Sequence, residues 1–400
     1  MKTQELKQRI KSIAIASQAE IIAIRRHLHK NPELSFQEFK TSEFIQQKLN
    51  ELGISFQSGI VKTGIVATIR GKNPDKKTIA LRADIDALPI QEENSKEYCS
   101  INNGVMHACG HDVHTSCVMG AAKILNELKE EWEGTIKFIF QPGEEKLPGG
   151  ASLMIKEGVL ENPNVKSIIG QHVQPSIEAG KVGFKNGLYM ASTDEIYVSV
   201  KGKGGHAATP HLNIDPVLIA ANILVSLQQI VSRFAQPNMP TVLSFGKVIA
   251  NGATNVIPNE VFMEGTFRTF DEKWRADAHT RMKKMAEEIA EGMGGSCEFN
   301  IVRGYPFLVN NDQLTNDCRA WAKEYLGAEN VEELDLRMTA EDFAYYSQLA
   351  DACFYRLGTG NKSKGITANI HTPTFDVDES SIETGMGLMA WLAIRELSKD

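Results

Sequence analysis

A chain of 400 residues is too long for one compact core, so two domains are expected. Hydrophobic residues at 42% and charged residues at 23% give the balance of a soluble globular protein, and a formal net charge of -7 without a basic block argues against nucleic acid as a partner. Six cysteines (Cys99, Cys109, Cys117, Cys297, Cys318 and Cys353) are too few for a disulfide framework and fit a reducing cytoplasm.

Residues 1–22 are broken by charged or amide residues every few positions. They predict an amphipathic helix and not a signal peptide. No later apolar run reads as membrane-spanning, so no membrane partner is expected. Ile65–Gly71, Thr78–Ala83, Thr135–Gln141 and Val165–His172 are short, rich in Ile, Val, Phe and Thr, and predict buried strands. Between them, Val113, Cys117, Ala121, Ile124, Leu125 and Leu128 recur at helical spacing over Asp112–Lys129. This alternation predicts an α/β layer, a mixed, largely parallel sheet flanked by helices.

The pattern changes near Gly187. Strand Glu195–Lys203, helix Ile214–Phe234, strands Thr241–Ala250 and Glu260–Phe270, helix Glu272–Met293 and strand Ser296–Arg303 follow in the β-α-β-β-α-β order of a ferredoxin-like unit. Alternating α/β then resumes, with a strand at Ala352–Leu357 and a helix over Ser381–Leu397. The expected organisation is a first part of a large domain over 1–190, an inserted ferredoxin-like α+β domain over 191–304, and the rest of the large domain over 305–400.

The chemistry concentrates in Met106-His107-Ala108-Cys109-Gly110-His111-Asp112-Val113-His114, where one thiol and three imidazoles share a loop and the helix turn after it. Such groups bind divalent transition metals. Cys109 and His111 are the strongest ligand candidates, and His107 and His114 either orient a ligand or cap the helix. Glu144 and Glu145 follow the strand Thr135–Gln141 in a Pro-Gly loop, His172 ends another apolar run, and His371 lies in a late polar loop. Cys109, His111, Glu145, His172 and His371 are one ligand more than a single tetrahedral catalytic ion uses. Two metals sharing a water would use all five and leave Glu144 as base. Asp84 and Asp86 end a strand and are placed to ligate metal or to hold a ligating imidazole.

The motifs MHACGHDVH, FQPGEE, GQHV, KGKGGHAATPH, NVIPNE, AEDF and the late HTP, with RRHLHKNPELS and RADIDALP before them, resemble the N-acyl-amino-acid amidohydrolases, a branch of the di-metal aminoacylase and carboxypeptidase clan. The resemblance implies that Cys109, His111, Glu145, His172 and His371 hold two divalent ions (zinc, manganese, cobalt or nickel) and that Glu144 is the general base. It implies that His206 stabilises the oxyanion, often across a dimer, and that Asn255 and Arg268 hold the substrate carboxylate. A homodimer through the inserted domain and a small N-acyl amino acid substrate are the implied partners, with dipeptide or carboxypeptidase-type cleavage the alternative. Gln171, Gly143 and Ala340 stand where leucine, alanine and serine are commoner, and none is a proposed ligand or base.

Overall fold

A computed structural model describes residues 3–399. In chain order the elements used below are α1 (Thr3–Lys30), α2 (Phe39–Glu51), β1 (Ser55–Ile60), β2 (Gly64–Arg70), β3 (Thr78–Asp84), α3 (His111–Glu127), β4 (Thr135–Gln141), α4 (Gly150–Lys156), β5 (Ser167–Glu178) and β6 (Val182–Phe184). There follow β7 (Asp194–Lys201), β8 (Gly205–His206), α5 (Pro216–Leu227), β9 (Val242–Ile249), β10 (Val256–Ile257), β11 (Glu260–Arg268), α6 (Glu272–Gly292) and β12 (Ser296–Arg303). The last are α7 (Asp312–Leu326), β13 (Val331–Glu333), β14 (Asp351–Gly360) and α8 (Ser381–Leu397).

The chain divides into two compact units. The large one holds the chain up to Tyr189, Val309–Asp335 and the chain from Asp342 onward; the small one holds Met190–Leu308 and Leu336–Glu341. The return to the large unit thus comes four residues later than the Gly304 punctuation suggests, and a short stretch before Asp342 also joins the small unit.

In the large unit eight strands form one sheet in the order β1-β2-β4-β3-β5-β14-β6-β13. The central four, β4-β3-β5-β14, run parallel, whereas β1 and β2 add on antiparallel. Every residue of β3 and β4 is buried, which explains why both read as unbroken apolar runs. Helix α3 packs against α1 and α8. In register, Asp84 lies opposite Gln141, so β3 and β4 end together. His172 does not end its strand, as the apolar run suggested: β5 continues to Glu178, because β14 pairs with it as far as Gly360. The β3 register, which sets Arg82 opposite Gly170, still puts His172 level with the carboxyl end of β3.

The small unit is a four-stranded antiparallel sheet in the order β9-β11-β7-β12, with α5 and α6 supplying its core through Ile219, Ile223, Met282 and Ala286. Arg275, buried, donates to Asp194 Oδ1 at 2.6 Å and to the carbonyls of Thr193 at 2.8 Å and Gly304 at 3.1 Å, tying the first strand's entry to the last strand's exit. One sequence expectation is corrected here. The helical stretch Pro216–Phe234, 19 residues, is long and apolar enough to cross a membrane by length and composition. Scattered Asn, Ser and Gln residues conceal this as a run, although Arg233 is its sole charge. Nor is it one helix: α5 ends at Leu227 and a π-type turn follows over Ile230–Phe234.

Candidate metal centre

The candidate centre lies in the large unit at the carboxyl ends of β3 and β4, with His172 level with them inside β5. Gly110 makes the first turn possible. Its φ of 83° is left-handed, and a Cβ there would sit 2.5 Å from Val173 Cγ2, so only glycine lets Cys109 and His111 stand on either side of it. Gly143 in the acidic loop is also left-handed, with a φ of 63°, and a Cβ there would sit 2.4 Å from the Phe36 ring. The Gly143 N–H donates to Glu38 at 2.9 Å. Burial and nearby Asp86 raise the Glu38 carboxyl to about 7.

Cys109 Sγ lies 3.4 Å from His172 Nε2 and 3.3 Å from His371 Nε2. His371 Nε2 lies 3.2 Å from Glu145 Oε1, which is itself 3.9 Å from His111 Nε2. Two triads, Cys109–His111–His172 and Cys109–Glu145–His371, therefore share the thiol, each with ligand atoms close enough to surround one ion. All five ligands expected from the sequence are brought together, with Glu144 Oε2 4.0 Å from His111 Nε2.

Two of the three candidate imidazoles, His111 and His172, are held through their other nitrogen, and His371 through its backbone. His111 Nδ1 lies 2.9 Å from the Asp86 carbonyl, and its buried Nε2 has no hydrogen-bond partner. His172 Nδ1 lies 2.8 Å from the Val173 carbonyl. His371 has a φ of 61°, a strained value for a side chain of this size, and its N–H donates to the Ala108 carbonyl at 2.7 Å. His114 differs: Nδ1 meets Asp84 at 2.6 Å and Nε2 accepts from Val173 N at 2.9 Å, so neither nitrogen is free for a metal. Asp84 and His114 thus stand behind the candidate ligands, and Asp86 contacts two of them, accepting from Glu145 N at 3.0 Å as well as lying against His111. His107 is buried with neither ring nitrogen hydrogen-bonded, and burial pushes it down to about 4.

The electrostatics favour a cation. Burial, Glu145 and Glu144 hold the Cys109 thiol well above its ordinary value. Burial opposes a proton on His111, yet Asp84 and Asp86 raise it to about 10. Burial, with Arg356 nearby, keeps His172 well below the usual imidazole range and therefore neutral. A buried thiol, and a His111 Nε2 and Glu145 Oε1 that make no hydrogen bond, in so negative a pocket are a donor set that suits a divalent transition metal.

The other expected site residues belong to the small unit. His206 pairs with Val256 across β8 and β10, and Ala207 N donates to the Asn255 carbonyl at 3.1 Å, so His206 and Asn255 share one pair of loops. Arg268 ends β11, half-buried. It donates to Thr266 Oγ1 and to the Phe267 carbonyl, and among the described residues no carboxylate stands at ion-pair distance. Sequence reasoning assigned no part to Arg82, Gln141 and Asp342, which form a buried network beneath the acidic loop, nor to the buried Arg25–Asp112–His29 cluster. The RADIDALP and AEDF motifs were the available signal for Arg82 and Asp342.

Residues 80–395 match the model of peptidase family M20/M25/M40. The N-acyl-L-amino acid amidohydrolase of Geobacillus stearothermophilus is 44% identical over 307 residues, 77% of this chain and 82% of the relative. Thermostable carboxypeptidase 2 of Saccharolobus solfataricus is 38% identical over 95% of this chain and 96% of its own. The crystal structure of the Bacillus subtilis YXEP protein, described as a dinuclear metal binding peptidase from the M20 family, superposes with a TM-score of 0.81 at 36% identity, covering 96% of this chain and 99% of that one. A family match over most of the chain, with relatives this similar over more than three quarters of it, places the protein in peptidase family M20/M25/M40.

Proposed function

We propose that this protein is a metal-dependent amidohydrolase that cleaves the amide bond of N-acyl-L-amino acids. The observation that carries the reading is the convergence of five ligand side chains, three of them imidazoles with Nε2 turned inward, beside a sixth group, Glu144, that the ligand set does not need. The amidohydrolase named above supports the substrate class.

Cys109, His111, Glu145, His172 and His371 would hold two divalent ions, which when bound make a water acidic and polarise the scissile carbonyl. Zinc, manganese, cobalt and nickel all suit this mixed thiolate, imidazole and carboxylate set. Glu144 takes the proton of the attacking water and returns it to the leaving amine. His206 Nδ1 accepts from the Ala208 N–H at 3.1 Å, which puts the proton of the neutral ring on Nε2, the tautomer that donates to an oxyanion. Arg268, half-buried and without a carboxylate of its own, suits the carboxylate of the amino-acid half, with Asn255 as second donor. The six free thiols fit a reducing compartment, the cytoplasm.

The carboxypeptidase relative keeps a second reading in view, since a peptide bond and an acyl amide are alike to the metals. A panel of N-acetyl, N-benzoyl and longer N-acyl amino acids beside dipeptides, run with each of the four metals, tests both. Turnover of acyl amino acids well above dipeptides is the expected result, and the reverse order would make the enzyme a peptidase.

A homodimer through the small unit is part of this proposal. On α5, Leu218 is 55% and Val225 74% exposed, an apolar face turned away from the unit's own core. The outer edge of β9 is unpaired and carries exposed Val248 and Ile249. An open strand edge beside apolar surface is what a second copy of the same unit would cover. If His206 serves the partner's site, Glu144→Gln and His206→Ala, each inactive alone, should regain about a quarter of normal turnover when co-expressed, because half of the dimers are mixed and each has one complete site. No regained activity from mixed dimers would assign His206 to its own chain.

A further inference from the structure

Beneath the acidic loop lies a buried polar cluster that ligates nothing in the scheme above. Arg82, fully buried in β3, donates from Nη1 to Asp84 Oδ2 at 2.6 Å, from Nη2 to Asp342 Oδ1 at 2.8 Å and from Nε to Gln141 Oε1 at 3.0 Å. Gln141 Nε2 in turn donates to both Asp342 oxygens at 2.8 Å. Asp342 Oδ2 accepts from Ala151 N at 2.9 Å, and the Asp342 N–H points at Glu144 Oε1 at 3.4 Å. The Phe343 ring lies against the guanidinium, 5.9 Å from Cζ to centroid.

The positions along the chain give these contacts their meaning. Gln141 is the last residue of β4 and Ala151 stands in the first turn of α4, so they bracket the loop that carries Glu144 and Glu145. One residue, Asp342, grips both ends of that loop through its carboxylate and touches the base between them through its backbone N–H. The same guanidinium that holds Asp342 holds Asp84, which orients His114 at 2.6 Å. We infer that Arg82 and Asp342 are positioning residues for hydrolysis, a buried ion pair that fixes Glu144 relative to the ligand loops. Neither side chain needs to touch substrate. A buried pair in which each guanidinium nitrogen has an acceptor gives geometry more reliably than stability, and catalysis is steep in geometry: a misplacement of about 1 Å can cost about a hundredfold.

The inference rests on Glu144 as base, so the test includes that variant. Asp342→Asn keeps shape and removes the charge that Arg82 and the Ala151 N–H require. Gln141→Met keeps the Arg82, Asp84 and Asp342 ions intact and removes only the bridge to β4, so it serves if Asp342→Asn fails to fold. In the manganese-loaded enzyme acting on an N-acetyl amino acid, each should lower kcat by between about tenfold and about a hundredfold with KM within about twofold. Metal content should be unchanged, and the Ala151 amide should exchange faster in Asp342→Asn. Normal kcat in both variants beside an inactive Glu144→Gln would overturn the positioning role alone. So would a loss that disappears once rates are normalised to folded, metal-loaded protein. An active Glu144→Gln would instead remove the base itself.

Discussion

Glu144→Gln should abolish turnover while leaving fold and metal content intact. The amide is isosteric and keeps an oxygen to face the Asp342 N–H, now 3.4 Å away. None of the five ligands changes. What disappears is the ability to take a proton from water and pass it to the leaving amine, a role worth roughly a hundredfold to ten-thousandfold. Glu144 is nearly buried and adds to the negative field that raises the Cys109 thiol, so the metal-free variant should, if anything, melt higher than the metal-free parent. The decisive measurement is kcat at saturating substrate and metal, with bound metal determined on the same sample. Full metal content with less than about a hundredth of normal kcat is expected. A rate near normal would assign the proton transfer elsewhere.

How far this site is legible in the sequence depends on which forces fix each part. The acidic loop is legible because strand ends and glycine turns are local features: Gln141 ends a wholly buried strand, and Glu144 and Glu145 must follow it in a turn. The central strands are legible for a related reason, burial on both faces, which leaves runs of Ile, Val and Phe. Helix α2 escapes the same reading because two of its four buried positions are Thr41 and Ser42, so its inward face hardly looks apolar. Strand β1 escapes because it lies at the sheet edge with most of its residues exposed. The buried ion networks are the least legible. Arg82 meets Asp342 across 260 residues and Arg25 meets Asp112 across 87. Nothing local marks these charges as interior, and the default for Arg and Asp is solvent. Only tertiary structure separates His114, saturated by Asp84 and Val173, from His111, whose Nε2 makes no hydrogen bond.

Loading the metal-free protein with divalent metal should release close to two protons from Cys109 and His111 together, and turnover should appear only then. The metal-free pocket carries Glu145, Glu144 and Asp84 around the thiol and Asp84 and Asp86 around His111, and its answer to that charge is to keep a proton on sulfur and a second on His111. Both must leave for the metal to bind. The sign follows. His111 is raised to about 10, so at pH 7 to 8 its proton is present without metal and absent with it. The thiol, held above its ordinary value, behaves alike. Affinity should therefore rise with pH across the neutral range, by up to about a hundredfold per pH unit for two protons, and fall away in acid. His172 contributes no such proton, since burial already keeps it neutral. Binding to the folded state alone also stabilises it, by about 2.7 kcal/mol once free metal is a hundredfold above its dissociation constant. Calorimetry in buffers of different ionisation enthalpy counts the protons directly, and Cys109→Ser should release one fewer while binding more weakly. A release near zero, or an affinity flat from neutral to alkaline pH, would mean that the metal does not replace the protons this pocket now holds.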